Sequence, residues 1–107
     1  MNKEQVEDII KSLENRGYKV EYNRRTDNSV LFQCNKHIFS INYRGPEPVV
    51  DVGICLGVYS TFNQDNVDWL NSITSYWEIY RNCVCFSFTA KSGQELENTL
   101  LRCVKGF

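Results

Sequence analysis

The chain has 107 residues, 42% of them hydrophobic, 23% charged and 13% aromatic. That usage excludes a disordered chain, and the length fits one domain able to bury roughly 60–68% of its unfolded surface without metal or disulfide support. Twelve basic residues against 13 acidic ones leave a net charge of −1, which argues against a basic nucleic-acid-binding face.

The only basic doublet, Arg24-Arg25, is expected in a turn. The opening Met1–Val6 has no apolar signal core, and no apolar run approaches bilayer-spanning length. A cytoplasmic protein without membrane contact is therefore expected. The five cysteines, an odd number without a secretion signal, are expected to be reduced thiols that fill apolar positions.

In chain order, Val6, Ile9, Ile10 and Leu13 share one narrow helical arc. Asn2 and Gln5 stand in capping-box register, and Gly17 supplies a left-handed stop. A helix over about 3–16 follows. From Tyr18 the period becomes two: Tyr18, Val20 and Tyr22 alternate with Lys19, Glu21 and Asn23, giving a half-buried strand. After a polar turn over 24–28, Val30, Phe32 and Cys34 form one side of a strand, and His37, Phe39, Ile41 and Tyr43 one side of the next. Asn35-Lys36 reads as their two-residue loop, although lysine is a poor second residue there. That loop sets Phe32 opposite Phe39 and Val30 opposite Ile41 on a common core face.

Gly45-Pro46-Glu47-Pro48 is a connection, and Val49 to about Tyr59 is a long strand with Val50, Val52, Ile54, Leu56 and Val58 inward. Gly53 and Gly57 in this strand read as bulge or close-approach positions. Asn63 caps a second helix with Val67, Leu70 and Ile73 inward and Trp69 at the margin of the stripe. Trp77 and Ile79 then pair across an Arg81-Asn82 loop with Phe86 and Val84. Ser92 and Glu95 form a capping box for a closing helix faced by Leu96, Leu100, Cys103 and Val104. The expected fold is α+β: an antiparallel sheet of five or six strands with three helices, in the order α-β-β-β(-β)-α-β-β-α. Its core is expected to hold Ile9, Leu13, Phe32, Phe39, Ile54, Leu70, Trp77, Phe86 and Leu100.

Cys34-x-x-His37 resembles half of a zinc site, but a structural zinc needs four ligands and Cys83-x-Cys85 has strand spacing. A Cys34/His37 nucleophile–base pair would need a third, orienting group. The plainer reading is cysteines filling sheet positions and a histidine at a hairpin end with one ring edge wet. No nucleophile elbow, phosphate loop or dinucleotide fingerprint occurs. No catalytic, metal or cofactor residue is therefore assigned. Glu78, placed opposite Cys85 between Tyr76 and Tyr80, reads first as a carboxylate on a solvated sheet face.

The strongest functional signal is a surface. Tyr59, Tyr76, Tyr80, Cys83 and Cys85, with Trp69 nearby, form the candidate partner or dimer surface, because aromatic residues among small ones favour interfaces. The alternative is a second sheet face covered by one of the chain's own helices.

The order of elements, with Val67-Asp68-Trp69-Leu70-Asn71, the hairpin from Tyr76 to Phe88 and the closing amphipathic helix, resembles the YbjN-type family of small bacterial proteins. It is also similar to the related fold of type III secretion chaperones. Leu70-Asn71 matches the end of that family's second helix, while Tyr18–Asn23 adds a strand to the usual three before it. The resemblance implies a non-enzymatic, chaperone-like role that binds a protein segment, often as a homodimer. It implies no cofactor and no site residue. An inhibitor or immunity-type protein is the next reading. A small enzyme is the third, and it would place His37 or Glu78 at the floor of a concave pocket.

Overall fold

The computed structural model describes residues 1–43, 49–57 and 62–107. In chain order these form α1 (Lys3–Asn15), β1 (Val20–Arg25), β2 (Ser29–Cys34), β3 (His37–Tyr43), β4 (Val50–Leu56), α2 (Gln64–Ile73), β5 (Trp77–Tyr80), β6 (Cys83–Ala90) and α3 (Gly93–Gly106). The six strands make one antiparallel sheet ordered β1-β2-β3-β4-β6-β5. The fold is the expected α+β arrangement, with the strand expected over Tyr18–Asn23 observed at Val20–Arg25 as the sixth. No helix among the described residues is long and apolar enough to cross a membrane.

Local chemistry sets the element ends. The Asn2 side chain accepts from the Gln5 N–H and Gln5 returns the bond, a complete capping box. At the other end of α1, Gly17 takes φ 95°. There the Gly17 N–H reaches Glu14 O at 2.9 Å and the Tyr18 N–H reaches Leu13 O at 3.1 Å, the two bonds of a Schellman stop. The box expected at α3 is half formed: Ser92 Oγ accepts from the Glu95 N–H, but the Glu95 carboxylate accepts from the Lys91 N–H at 3.4 Å instead of that of Ser92.

Both tight hairpins use loops with positive φ at each residue: 52° and 70° at Asn35-Lys36, 49° and 64° at Arg81-Asn82. Two left-handed residues match the right-handed strand twist. The twist requirement overrides the poor preference of Lys36 and Arg81 for that region. The pairings Phe32–Phe39, Val30–Ile41, Trp77–Phe86, Ile79–Val84 and Glu78–Cys85 all form as expected.

Several expectations are corrected. Arg24 and Arg25 lie in β1, not in a turn, because a register break between Tyr22 and Arg24 lets the strand continue. The Arg25 guanidinium then covers the Tyr22 ring at 3.4 Å. Ile9 is only half-buried, and Ile10, with Val6 and Leu13, is fully buried in α1. Trp77 is also half-buried, with its indole N–H donating to Asn71 Oδ1 at 2.9 Å. Gly53 is not a bulge: it sits in a regular ladder between Ser40 and Ser87, where a Cβ would find ordinary contact at 3.8 Å. Gly57 is the true close approach, since a Cβ there would lie 2.5 Å from the Lys36 carbonyl oxygen. Val58, Tyr59 and the connection over 45–48 lie outside the described residues.

The core forms on one face of the sheet. Phe32, Phe39, Ile41, Ile54 and Leu56 from the central strands meet Val6, Ile10 and Leu13 of α1, Leu70 of α2, and Leu96, Leu100 and Cys103 of α3. Phe32 and Phe39 stack at 5.1 Å with planes 20° apart.

Candidate functional site

Packing all three helices on one face leaves the other bare: no helix among the described residues covers it. Strand alternation decides what that bare face shows. Cys55 pairs with Ile38 on one side and Cys85 on the other, and Cys85 pairs in turn with Glu78. Gly53 lies two residues from Cys55 between Ser40 and Ser87, so the middle of the face has almost no side-chain bulk. The result is a shallow groove of about 480 Å³, with Leu31 and Ile38 along one wall, Gly53, Cys55 and Cys85 in the middle, and Tyr76 and Glu78 on the β5 side.

Of the sequence-derived surface residues, Tyr76 and Cys85 line this groove, while Tyr80 and Cys83 pair with each other on the same sheet face outside its lining. Tyr76 and Tyr80 are 69% and 58% exposed, large values for aromatic side chains. The Tyr76 hydroxyl donates to Glu78 Oε2 at 3.1 Å, and this bond raises its pKa above the ordinary tyrosine value. Trp69 does not join them. It lies on the helix side, edge-on to Phe86 at 6.0 Å and against Phe107 at 5.8 Å, with the Arg102 guanidinium 5.0 Å from its ring. Its role there is to cover the inner face of the β5–β6 hairpin. Tyr59 lies outside the described residues.

Sequence reasoning missed Leu31 and Ile38, the latter 40% exposed. Each is an apolar residue out of phase with the buried positions of its strand, and that was the available signal. The edge position of β5 was missed as well. It follows from β6 pairing with β4, a long-range choice that no local pattern encodes.

The Cys34/His37 pair is real as a cross-strand neighbour pair but closed as chemistry. His37 is fully buried, with no wet edge, because the end of α3 covers the hairpin tip. Its Nδ1 accepts from the Gly57 N–H at 3.2 Å, and its Nε2 lies 3.2 Å from the main-chain oxygen of Phe107. One acceptor and one donor correspond to the neutral Nε2–H tautomer. Both ring nitrogens are thereby occupied and neither serves Cys34 as a base. Burial lowers the His37 pKa below its ordinary value, partly offset by the Phe107 bond. Burial likewise raises the Cys34 thiol, and raises that of Cys103 to about 12. Glu78 lines the open groove from an exposed strand, which is no enclosed acid–base site.

All five cysteines are free thiols. Among the described residues no three His, Cys, Asp or Glu side chains gather to hold a metal ion. Protein unfolded after removal of reductant is therefore expected to titrate five thiols and to contain no stoichiometric zinc. Zinc at one equivalent in elemental analysis would contradict this.

Comparison of the chain with protein-family models, curated proteins and solved structures finds no match.

Proposed function

We propose that this protein is a cytoplasmic, non-enzymatic module of bacterial type that binds an extended protein segment along β5 and the adjoining helix-free face. The observation that carries this reading is the contrast between the two sheet edges. The β1 edge is blunted by Glu21, Arg24 and Arg25, by a Lys19–Glu21 ion pair at 3.1 Å, and by the register break after Tyr22. Charges and bulges of this kind prevent strand addition. The β5 edge carries Trp77, Ile79 and Tyr80 around the single charge of Glu78, with Ile79 49% exposed.

A segment that adds to β5 would satisfy the free backbone groups of that edge and send alternate side chains toward the groove. Apolar side chains would meet Tyr76 and Tyr80, and a basic one would face Glu78. The resemblance of the element order to the YbjN-type and secretion-chaperone arrangement points the same way. A second copy of the chain can occupy the same edge about a two-fold axis, which gives a homodimer. A chaperone-like protein and an inhibitor or immunity-type protein would both use this surface, and the identity of the partner separates them.

Affinity capture with wild type and with an Ile79→Lys/Tyr80→Glu variant tests the reading. The partner is expected to fall at least tenfold in the variant while thermal unfolding is unchanged. Equal recovery would refute the β5 surface. Light scattering at micromolar concentration tests the homodimer, which a constant mass near 12.5 kDa would exclude.

A further inference from the structure

We propose that Cys55 and Cys85 form a redox site, a dithiol that small-molecule disulfides convert reversibly into a cross-strand disulfide on the open sheet face. The two residues are direct partners in the β4–β6 ladder. Directly opposed antiparallel residues have Cα atoms about 4.5–5.5 Å apart, inside the disulfide range of about 4.4–6.8 Å. Their sulfurs already touch, with the Cys85 thiol donating to Cys55 Sγ at 3.3 Å, so bond formation needs a closure of about 1.3 Å.

No other pair of cysteines is placed in this way. Cys83 pairs with Tyr80, and it stands two residues from Cys85 on one strand, about 6.5–7 Å away with a parallel Cβ direction. Cys34 and Cys103 are buried on the helix side. Cys55 and Cys85 are each half-buried and line the groove, so a small disulfide reaches them from solvent.

The exchange balances without any group bound to the protein. The Cys55 thiolate attacks one sulfur of the small disulfide, the old S–S bond breaks, and one small thiol leaves with the electron pair and a proton. The Cys85 sulfur then attacks Cys55 Sγ in the mixed disulfide and expels the second small thiol. The protein is oxidised by two electrons and the small disulfide is reduced to two thiols. Burial, the bond to Cys55, and the neighbouring Cys55, Cys83 and Glu78 together raise the Cys85 thiol to about 12. The Cys85 S–H is already directed at Cys55 Sγ, which places Cys85 as the resolving partner. The site does not depend on the partner-binding reading.

The full chain, equilibrated with oxidised and reduced glutathione, is the test. Titratable thiols are expected to fall from five to three, with loss of two hydrogens in mass, no retained glutathione and one peptide linkage between Cys55 and Cys85. Exchange should accelerate with rising pH. Cys83→Ser should still close the bond, whereas Cys85→Ser should stop at a glutathione adduct on Cys55. A link through Cys83, an intermolecular link, or five thiols remaining where unfolded protein oxidises would each overturn the assignment. Mapping on the wild-type chain decides even if a variant fails to fold.

Discussion

Replacement of Phe39 by alanine is expected to cost about 3–5 kcal/mol, the range for a fully buried aromatic side chain. Phe39 has no exposed surface and lies in the middle of the β2-β3-β4 ladder, paired with Phe32 on one side and Ile54 on the other. Its ring stacks on Phe32 and meets His37 edge-on at 6.4 Å. Truncation removes three sets of contacts at once. The strand backbones on both sides are fixed by hydrogen bonding, so the cavity cannot close by collapse. Against a total stability of about 5–15 kcal/mol, such a loss takes about a fifth of the margin or more. In urea unfolding the midpoint should fall with an unchanged slope, and Phe39→Leu should retain most of the difference. A loss below about 1 kcal/mol would mean that β3 can slip or repack, and the single-core description would fail.

Most of this fold was legible because one face of each inner strand is apolar and the hairpin loops are short. The alternation of Val30, Phe32 and Cys34 with Leu31 and Gln33, joined through a two-residue loop to the next strand, allows one register only. Helix ends were legible from Asn2, Gly17, Asn63 and Ser92, whose side chains or backbone freedom act within four residues. What was hidden depends on distant parts of the chain. Trp69 at a stripe margin can turn toward either neighbour, and Phe86 and Phe107 decide the matter. Asn66 resembles a solvated residue of a first helical turn. Yet it is buried, accepting from Arg102 at 2.7 Å and donating to the Gly106 carbonyl at 3.2 Å.

Three side chains in fact serve the end of α3: Asn66 at Gly106, Asn35 at Val104 and His37 at Phe107. Terminal helix carbonyls lack partners within the helix, so they are supplied from β3, the β2–β3 loop and α2. Nothing local to any of these residues announces the meeting. The candidate surface was half legible for the same reason. Alternation placed Cys55, Cys83, Cys85, Tyr76 and Tyr80 on one face, but contact between Cys55 and Cys85 required the β4–β6 pairing.

His37 gives the second large effect, and it carries a pH signature. His37→Ala leaves the Gly57 N–H and the Phe107 oxygen without their partner, each at about 1–3 kcal/mol, and opens a cavity between them. A total of about 2–6 kcal/mol or more is expected at pH 7.5. The sign of the pH dependence follows from burial, which holds the folded pKa below the unfolded value of about 6.5, with the Lys36 charge adding in the same direction and the Phe107 bond opposing both. Above about pH 6.5 neither state is protonated there and His37 contributes no slope. As pH falls below that value the unfolded chain takes up a proton that the folded chain refuses. Stability should then drop by up to about 1.4 kcal/mol per pH unit until the folded pKa is reached. His37 is the only histidine, and carboxylates titrate mainly near pH 4, so the window between about pH 5 and 6.5 isolates its contribution. His37→Gln should be less stable than wild type at pH 7.5, yet it should lose less stability than wild type between pH 6.5 and 5. Parallel curves for the two proteins would show that the buried ring accepts its proton as readily as a solvated one, and the neutral bridge from Gly57 to Phe107 would be wrong.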